Sequence, residues 1–208
     1  MTRDRGQAHT LEAVTAAILL LAGVGFALQM TAVTPLSAST SSQHLENQLQ
    51  MTGKGVLASN AESGDLKKAV LYWDENESQF YNADNEGYYT TNLGANNFTR
   101  ALDRTYGPRN VAYNVNVIYH TSNDDTERKQ MIRQGEPSDH AIVATRSVTI
   151  VDDDQIVDED WTYNSTTTVS DVNQNPNSTF YMPDAGNATS GNRAIYNNVR
   201  VEVVAWRI

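Results

Sequence analysis

Cysteine is absent from all 208 residues. That excludes a disulfide scaffold, a thiolate-ligated zinc or iron–sulfur site, and a thiol nucleophile. Basic side chains are scarce, 15 Lys and Arg against 25 Asp and Glu, for a formal net charge of −10. Non-specific nucleic-acid binding needs a basic face, so no nucleic-acid partner is expected. Apolar residues are thin at 39%, against roughly 45–50% for an ordinary domain. Catalytic signatures are missing too: there is no Walker motif, no G-x-G-x-x-G, no G-x-S-x-G and no H-E-x-x-H. Ser138-Asp139-His140 are neighbours in sequence, but a triad is built in space. Neither an enzymatic activity nor a cofactor is expected.

What is present begins with a long apolar run. Ala13 to Val33 is 21 residues without a charge. At about 1.5 Å per helical residue it spans ~31 Å, close to the ~30 Å core of a bilayer. Lipid offers no partner to backbone amides, so a single span must be helical. Arg3 and Arg5 precede the run and the next Lys or Arg is Lys54. The positive-inside rule therefore predicts a cytoplasmic N-terminus and an external C-terminal part. Such a segment has three fates: an uncleaved anchor, a secretory signal cut near Leu36-Ser37-Ala38, or a retained pilin-type helix. Ala16, Ala17, Gly23, Gly25 and Ala27 are small enough to admit a second helix, although such residues are common in any membrane helix.

Arg5-Gly6-Gln7 stands just before Ala8-His9-Thr10-Leu11-Glu12 and the apolar run. This arrangement resembles the class III signal of archaeal type IV pilin-like proteins. The resemblance implies a prepilin peptidase that cuts after Gly6, a leader of residues 1–6, and a mature chain starting at Gln7. Glu12 then falls at the sixth mature position, one later than the family's glutamate. Residues 7–50 resemble a group of haloarchaeal pilin-like membrane proteins. An acidic surface with 4 Lys against 11 Arg agrees with a high-salt origin.

The helix is expected to extend over residues 7–60, with a kink where Thr34-Pro35 removes a backbone donor. Gly53 and Gly55 weaken it, and Ser63-Gly64 ends it. Residues 61–208 are long enough for one external domain. Asp65 to Trp73 reads as a helix capped by Ser63 or Asp65, and Asn97 to Tyr106 as a second, stopped by Gly107-Pro108. The period then changes. Val111, Tyr113, Val115, Val117 and Tyr119 alternate with Asn114, Asn116 and His120, which predicts a half-buried strand. Ala141–Val151 and Asn198–Ile208 read as two further strands. Helices followed by strands predict an α+β fold with an antiparallel sheet, in a pilin-like arrangement behind the long helix. Residues 161–198, rich in Asn, Ser and Thr, read as a long polar loop. Trp73, Trp161 and Trp206 are expected in packing positions, not on a sugar platform.

Five Asn-x-Ser/Thr sequons lie beyond the run: Asn76, Asn97, Asn164, Asn177 and Asn187. Chance placement would give about three, so the excess is small. Asn164, Asn177 and Asn187, in the polar loop, are the best glycosylation candidates, and Asn97 is expected to be sheltered at a helix start. Asp152-Asp153-Asp154 and Asp158-Glu159-Asp160 are oxygen-rich, but an EF-hand counted from Asp152 would place Val157 and Tyr163 where Gly and Glu belong. Solvated hairpin tips are the simpler expectation, and no metal is assigned.

These features lead to a pilin-like cell-surface assembly protein, held in the membrane or built into a type IV pilus-like filament, as a minor component or as the main subunit. Its expected partners are the membrane, the prepilin peptidase and other pilin-like subunits met through the N-terminal helix. The alternative is a single-pass anchored domain that binds a partner outside the cell. A third class is an enzyme in which His120 or His140 meets a carboxylate within a pocket.

Overall fold

The computed structural model describes residues 3–90, 96–123, 125–174, 180–185 and 194–208, with the backbone alone given for 3–8 and 30–42. Helix α1 covers Arg3–Ser63 and its helical assignment continues through Thr34-Pro35. It stops at Gly64, whose φ of 83° lies in the left-handed region that side chains disfavour. Two compact units divide the chain, Met1–Leu45 and Glu46–Ile208. The second therefore includes residues 46–63 of α1.

Among the described residues of the first unit the large apolar side chains are exposed. Leu11, Leu19, Leu20, Leu21, Phe26 and Leu28 are all more than 60% exposed. Among the described residues, His9–Gln29 is the one helical stretch long and apolar enough to cross a membrane.

The second unit is mixed α+β. Helix α2 (Asp65–Leu71) follows Gly64, and two short strands, β1 (Trp73–Asp74) and β2 (Gln79–Phe80), form a hairpin. The predicted helix through Trp73 is thus two residues too long. Trp73 leaves the helix to pair with Phe80, and its ring packs edge-on against the Phe80 ring at 5.2 Å and against Tyr181 at 4.8 Å. Gly64, not Ser63 or Asp65, occupies the cap position of α2 and has no side chain to offer, while Ser63 Oγ accepts from Asp65 N at 3.4 Å. Helix α3 runs over Asn97–Tyr106 as expected, and the Asn96 side chain caps it by accepting from Thr99 N at 2.7 Å. A 3-10 turn at Gly107–Arg109 leads on to the strands.

Strands β3 (Val111–His120), β4 (Thr126–Arg133), β5 (Ile142–Val151) and β8 (Ile195–Arg207) make a four-stranded antiparallel sheet in the order β4-β3-β8-β5. Between β5 and β8 the chain forms a second hairpin from β6 (Gln155–Val157) and β7 (Tyr163–Thr168), then helix α4 (Val169–Gln174). The register sets Ile132, Val115, Val203 and Ala144 in one row across the four strands, all buried. Residues 46–63 of α1 meet this face, where Gly53 and Leu57 are buried and Gln50 Nε2 donates to Val143 O at 3.1 Å.

Two expectations are corrected here. Strand β3 is buried on both faces, since it lies between two neighbours and its Asn side is covered as well. Asn114 and Asn116 are 5% and 4% exposed. Asn114 Nδ2 donates to Gly135 O at 2.9 Å, Asn114 Oδ1 accepts from Gln134 N at 2.8 Å, and Asn116 Nδ2 donates to Glu202 Oε1 at 3.1 Å. Those bonds offset the cost of burying the amides. Nor is 161–198 one loop: it holds β7, α4 and the start of β8. Val169 and Val172 are buried, and Thr168 and Asp171 form a reciprocal cap at the start of α4.

Candidate functional site

Arg5, Gly6 and Gln7 lie on the first turns of α1. Glu12 is exposed, with His9 Nδ1 at 3.8 Å from its carboxylate. The stretch that follows, His9–Gln29, presents an exposed apolar surface.

The sequons differ in presentation. Asn76, Glu77 and Ser78 are all exposed in the turn between β1 and β2. Asn97 is also exposed, contrary to expectation, because the first residue of α3 points outward while Phe98 and Thr99 are buried. Its Nδ2 donates to Asp65 Oδ1 at 3.0 Å. Asn164 is half-buried on β7; its Nδ2 donates to Asp158 Oδ1 at 3.0 Å, and its Oδ1 accepts from Thr166 N and Oγ1 and from Thr167 N. Asn177 and Asn187 lie outside the described residues.

Both acidic runs occupy turns. Asp158-Glu159-Asp160 tips the β6–β7 hairpin, and Asp160 Oδ1 accepts from Thr162 N and Oγ1 at 3.0 and 2.6 Å, which holds its carboxyl below the usual range. Tyr72 Oη donates to Glu159 O at 2.8 Å. Lys68 Nζ donates to Trp161 O at 3.1 Å and stands over the Tyr163 ring at 4.7 Å. In the turn between β5 and β6, Asp154 pairs with Lys67 at 2.6 Å. Burial and the nearby Asp184 and Asp153 push the Asp152 carboxyl up. Among the described residues no three His, Asp or Glu side chains are grouped to hold a metal.

His140 meets a carboxylate, Glu46 Oε1 at 2.9 Å, but its side chain is 75% exposed and open to solvent. The His120 side chain is exposed, and its backbone N–H and C=O are both bonded to the Asn197 amide. Trp73 and Trp206 are buried and Trp161 is half-buried. The sequence reading missed the chain of polar groups on the outer sheet face, where Arg128 reaches Glu202 at 3.5 Å and Glu202 accepts from Asn116. Its only signal was the pair of Asn residues alternating with valines, which also fits a solvated face.

A family model described as a family of unknown function, DUF7288, matches residues 5–205. The chain belongs to this family. The DUF7288 match takes in the apolar stretch of α1 and all of the sheet but the last two residues of β8, so helix and domain fall within one family match. No curated protein and no solved structure matches this DUF7288 chain.

Proposed function

We propose that this DUF7288 chain is a pilin-like surface protein, cut after Gly6 and retained through its N-terminal helix in the membrane or in a type IV pilus-like filament. One observation carries the reading: the exposed apolar stretch His9–Gln29 belongs to the same helix whose residues 46–63 are packed into the α+β unit. An uncovered apolar surface of this size needs lipid or other apolar helices around it. A helix that continues into the domain links the domain covalently to whatever covers that surface. The Arg5-Gly6-Gln7 signal sits on the side where a prepilin peptidase works if the N-terminus is cytoplasmic.

Mass spectrometry of the mature N-terminus, on protein from native membranes, tests this. A start at Gln7 that is lost in Gly6→Val is the expected result. A start at Met1 or Thr2 would leave a simple anchor and favour an external binding domain. A start near Ser39 would mean the helix is discarded, and assembly through it would be ruled out.

A further inference from the structure

We infer that Asn76 is an N-glycan acceptor, and that Asn97 and Asn164 are not. The inference rests on the external placement of the domain proposed above. It is carried by differences among three sequons that are equivalent in sequence. A transferring enzyme must reach the Asn amide nitrogen and the hydroxyl residue two positions on. At Asn97 that hydroxyl is out of reach: Thr99 is 0% exposed and its Oγ1 donates to Asn96 O at 2.9 Å. The Asn97 nitrogen is also bonded to Asp65. At Asn164 the residue is half-buried, the nitrogen is bonded to Asp158 across the β6–β7 hairpin, and the side-chain oxygen holds Thr166 and Thr167. A sugar there would break the contact that ties the hairpin tip to β7.

At Asn76 neither burial nor a bonded side-chain nitrogen stands in the way. All three residues of its sequon are exposed. Its backbone N–H donates to Asp74 Oδ1 at 2.9 Å, which shapes the turn, while its side-chain amide has no hydrogen-bond partner among the described residues. A glycan at this position costs the fold no contact. In the transfer, the Asn76 nitrogen bonds to C1 of a polyprenyl-phosphate-linked sugar and the C1–O bond to phosphate breaks. The lipid phosphate leaves with the bonding pair, and the amide proton goes to a base on the enzyme.

The test is site mapping on the full chain from native membranes. Cleavage at Lys68 and Arg100 leaves Asn76 and Asn97 on one peptide, so a second protease that cuts after aromatic residues is needed to separate them. Sugar-bearing fragments at Asn76, absent in Asn76→Gln and in Ser78→Ala, with bare Asn97 and Asn164, are expected. On intact cells, a membrane-impermeant amine reagent should label exposed Lys54. A labelled Lys54 with a bare Asn76, or sugar on Asn97 or Asn164, overturns this inference and leaves the proposed placement standing. A bare Asn76 with Lys54 labelled only after lysis overturns both.

Discussion

Gly53 of α1 passes so close to Ala144 of β5 that a Cβ built on the glycine would stand 2.9 Å from the Ala144 Cβ and 2.8 Å from Tyr106 Oη. Real Cβ atoms essentially never stand within 3.0 Å of a non-bonded heavy atom, so either the helix would have to move or the sheet would have to give. Gly55, two residues on, has nothing within 4 Å. The two glycines are alike in propensity and opposite in surroundings. Gly55→Ala should therefore gain about 0.5–1 kcal/mol, the ordinary return for removing a helical glycine. Gly53→Ala should instead lose about 1–3 kcal/mol to overpacking. Denaturant midpoints of the two variants decide it; equal gains would mean that α1 does not pack at this distance.

Much of this was readable beforehand because periodic elements carry their own signal. Helix α3 and strand β3 were predicted over the residues they occupy, and β5 and β8 within a few residues, from valine alternation and from the Gly107-Pro108 stop. Strand β4 was invisible: Thr-Glu-Arg-Lys-Gln has no alternation, because an edge strand needs only one neighbour and can leave its side chains in water. Helix α4 hid inside a polar stretch, yet Thr168-x-x-Asp171 before Val172 was a capping signal that could have found it. At Gly53 the sequence showed only a weak helix former. What makes it fit, the approach of Ala144 and Tyr106, comes from residues far along the chain.

Asn114 ties two backbone groups beyond the end of β4 to the middle of the sheet. Its amide serves Gly135 O and Gln134 N while 5% exposed. Asn114→Ala removes both partners and leaves a backbone donor and acceptor short of bonds, at a cost of about 1–3 kcal/mol. Amide exchange at Gln134 should speed up in the variant. An unchanged midpoint and unchanged exchange would mean that water replaces the side chain.

Buried phenols set the alkaline limit. Burial, with Asp74 next in importance, pushes Tyr81 up to about 12. Burial does the same for Tyr106, opposed by Arg109, and for Tyr119, reinforced by Glu127. Tyr89, Tyr113 and Tyr196 are raised further by burial. In the unfolded chain these phenols titrate near their ordinary value of about 10. Above that pH the unfolded state holds fewer protons than the folded one, so stability falls with rising pH. It should be whole below pH ~10 and drain away towards pH ~12. Tyrosinate absorbance of the folded protein should stay low at pH ~10.5 and jump on unfolding. A smooth native titration centred near 10 would show the phenols to be wet.

Leu20 stands near the middle of the His9–Gln29 stretch and is 71% exposed. A carboxylate at the centre of a spanning helix costs about 2.5–3.5 kcal/mol on insertion scales, whereas on a helix in water it costs almost nothing. Leu20→Asp should therefore shift the full chain from the carbonate-resistant membrane fraction towards the soluble one. Leu20 belongs to the first compact unit, so the thermal unfolding of the second should not change. Thr40→Asp, beyond the stretch, is the control and should stay in the membrane fraction. If Leu20→Asp remains carbonate-resistant to the same extent as the parent, lipid does not cover this helix. If both variants leave the membrane, the attachment depends on something other than the apolar stretch.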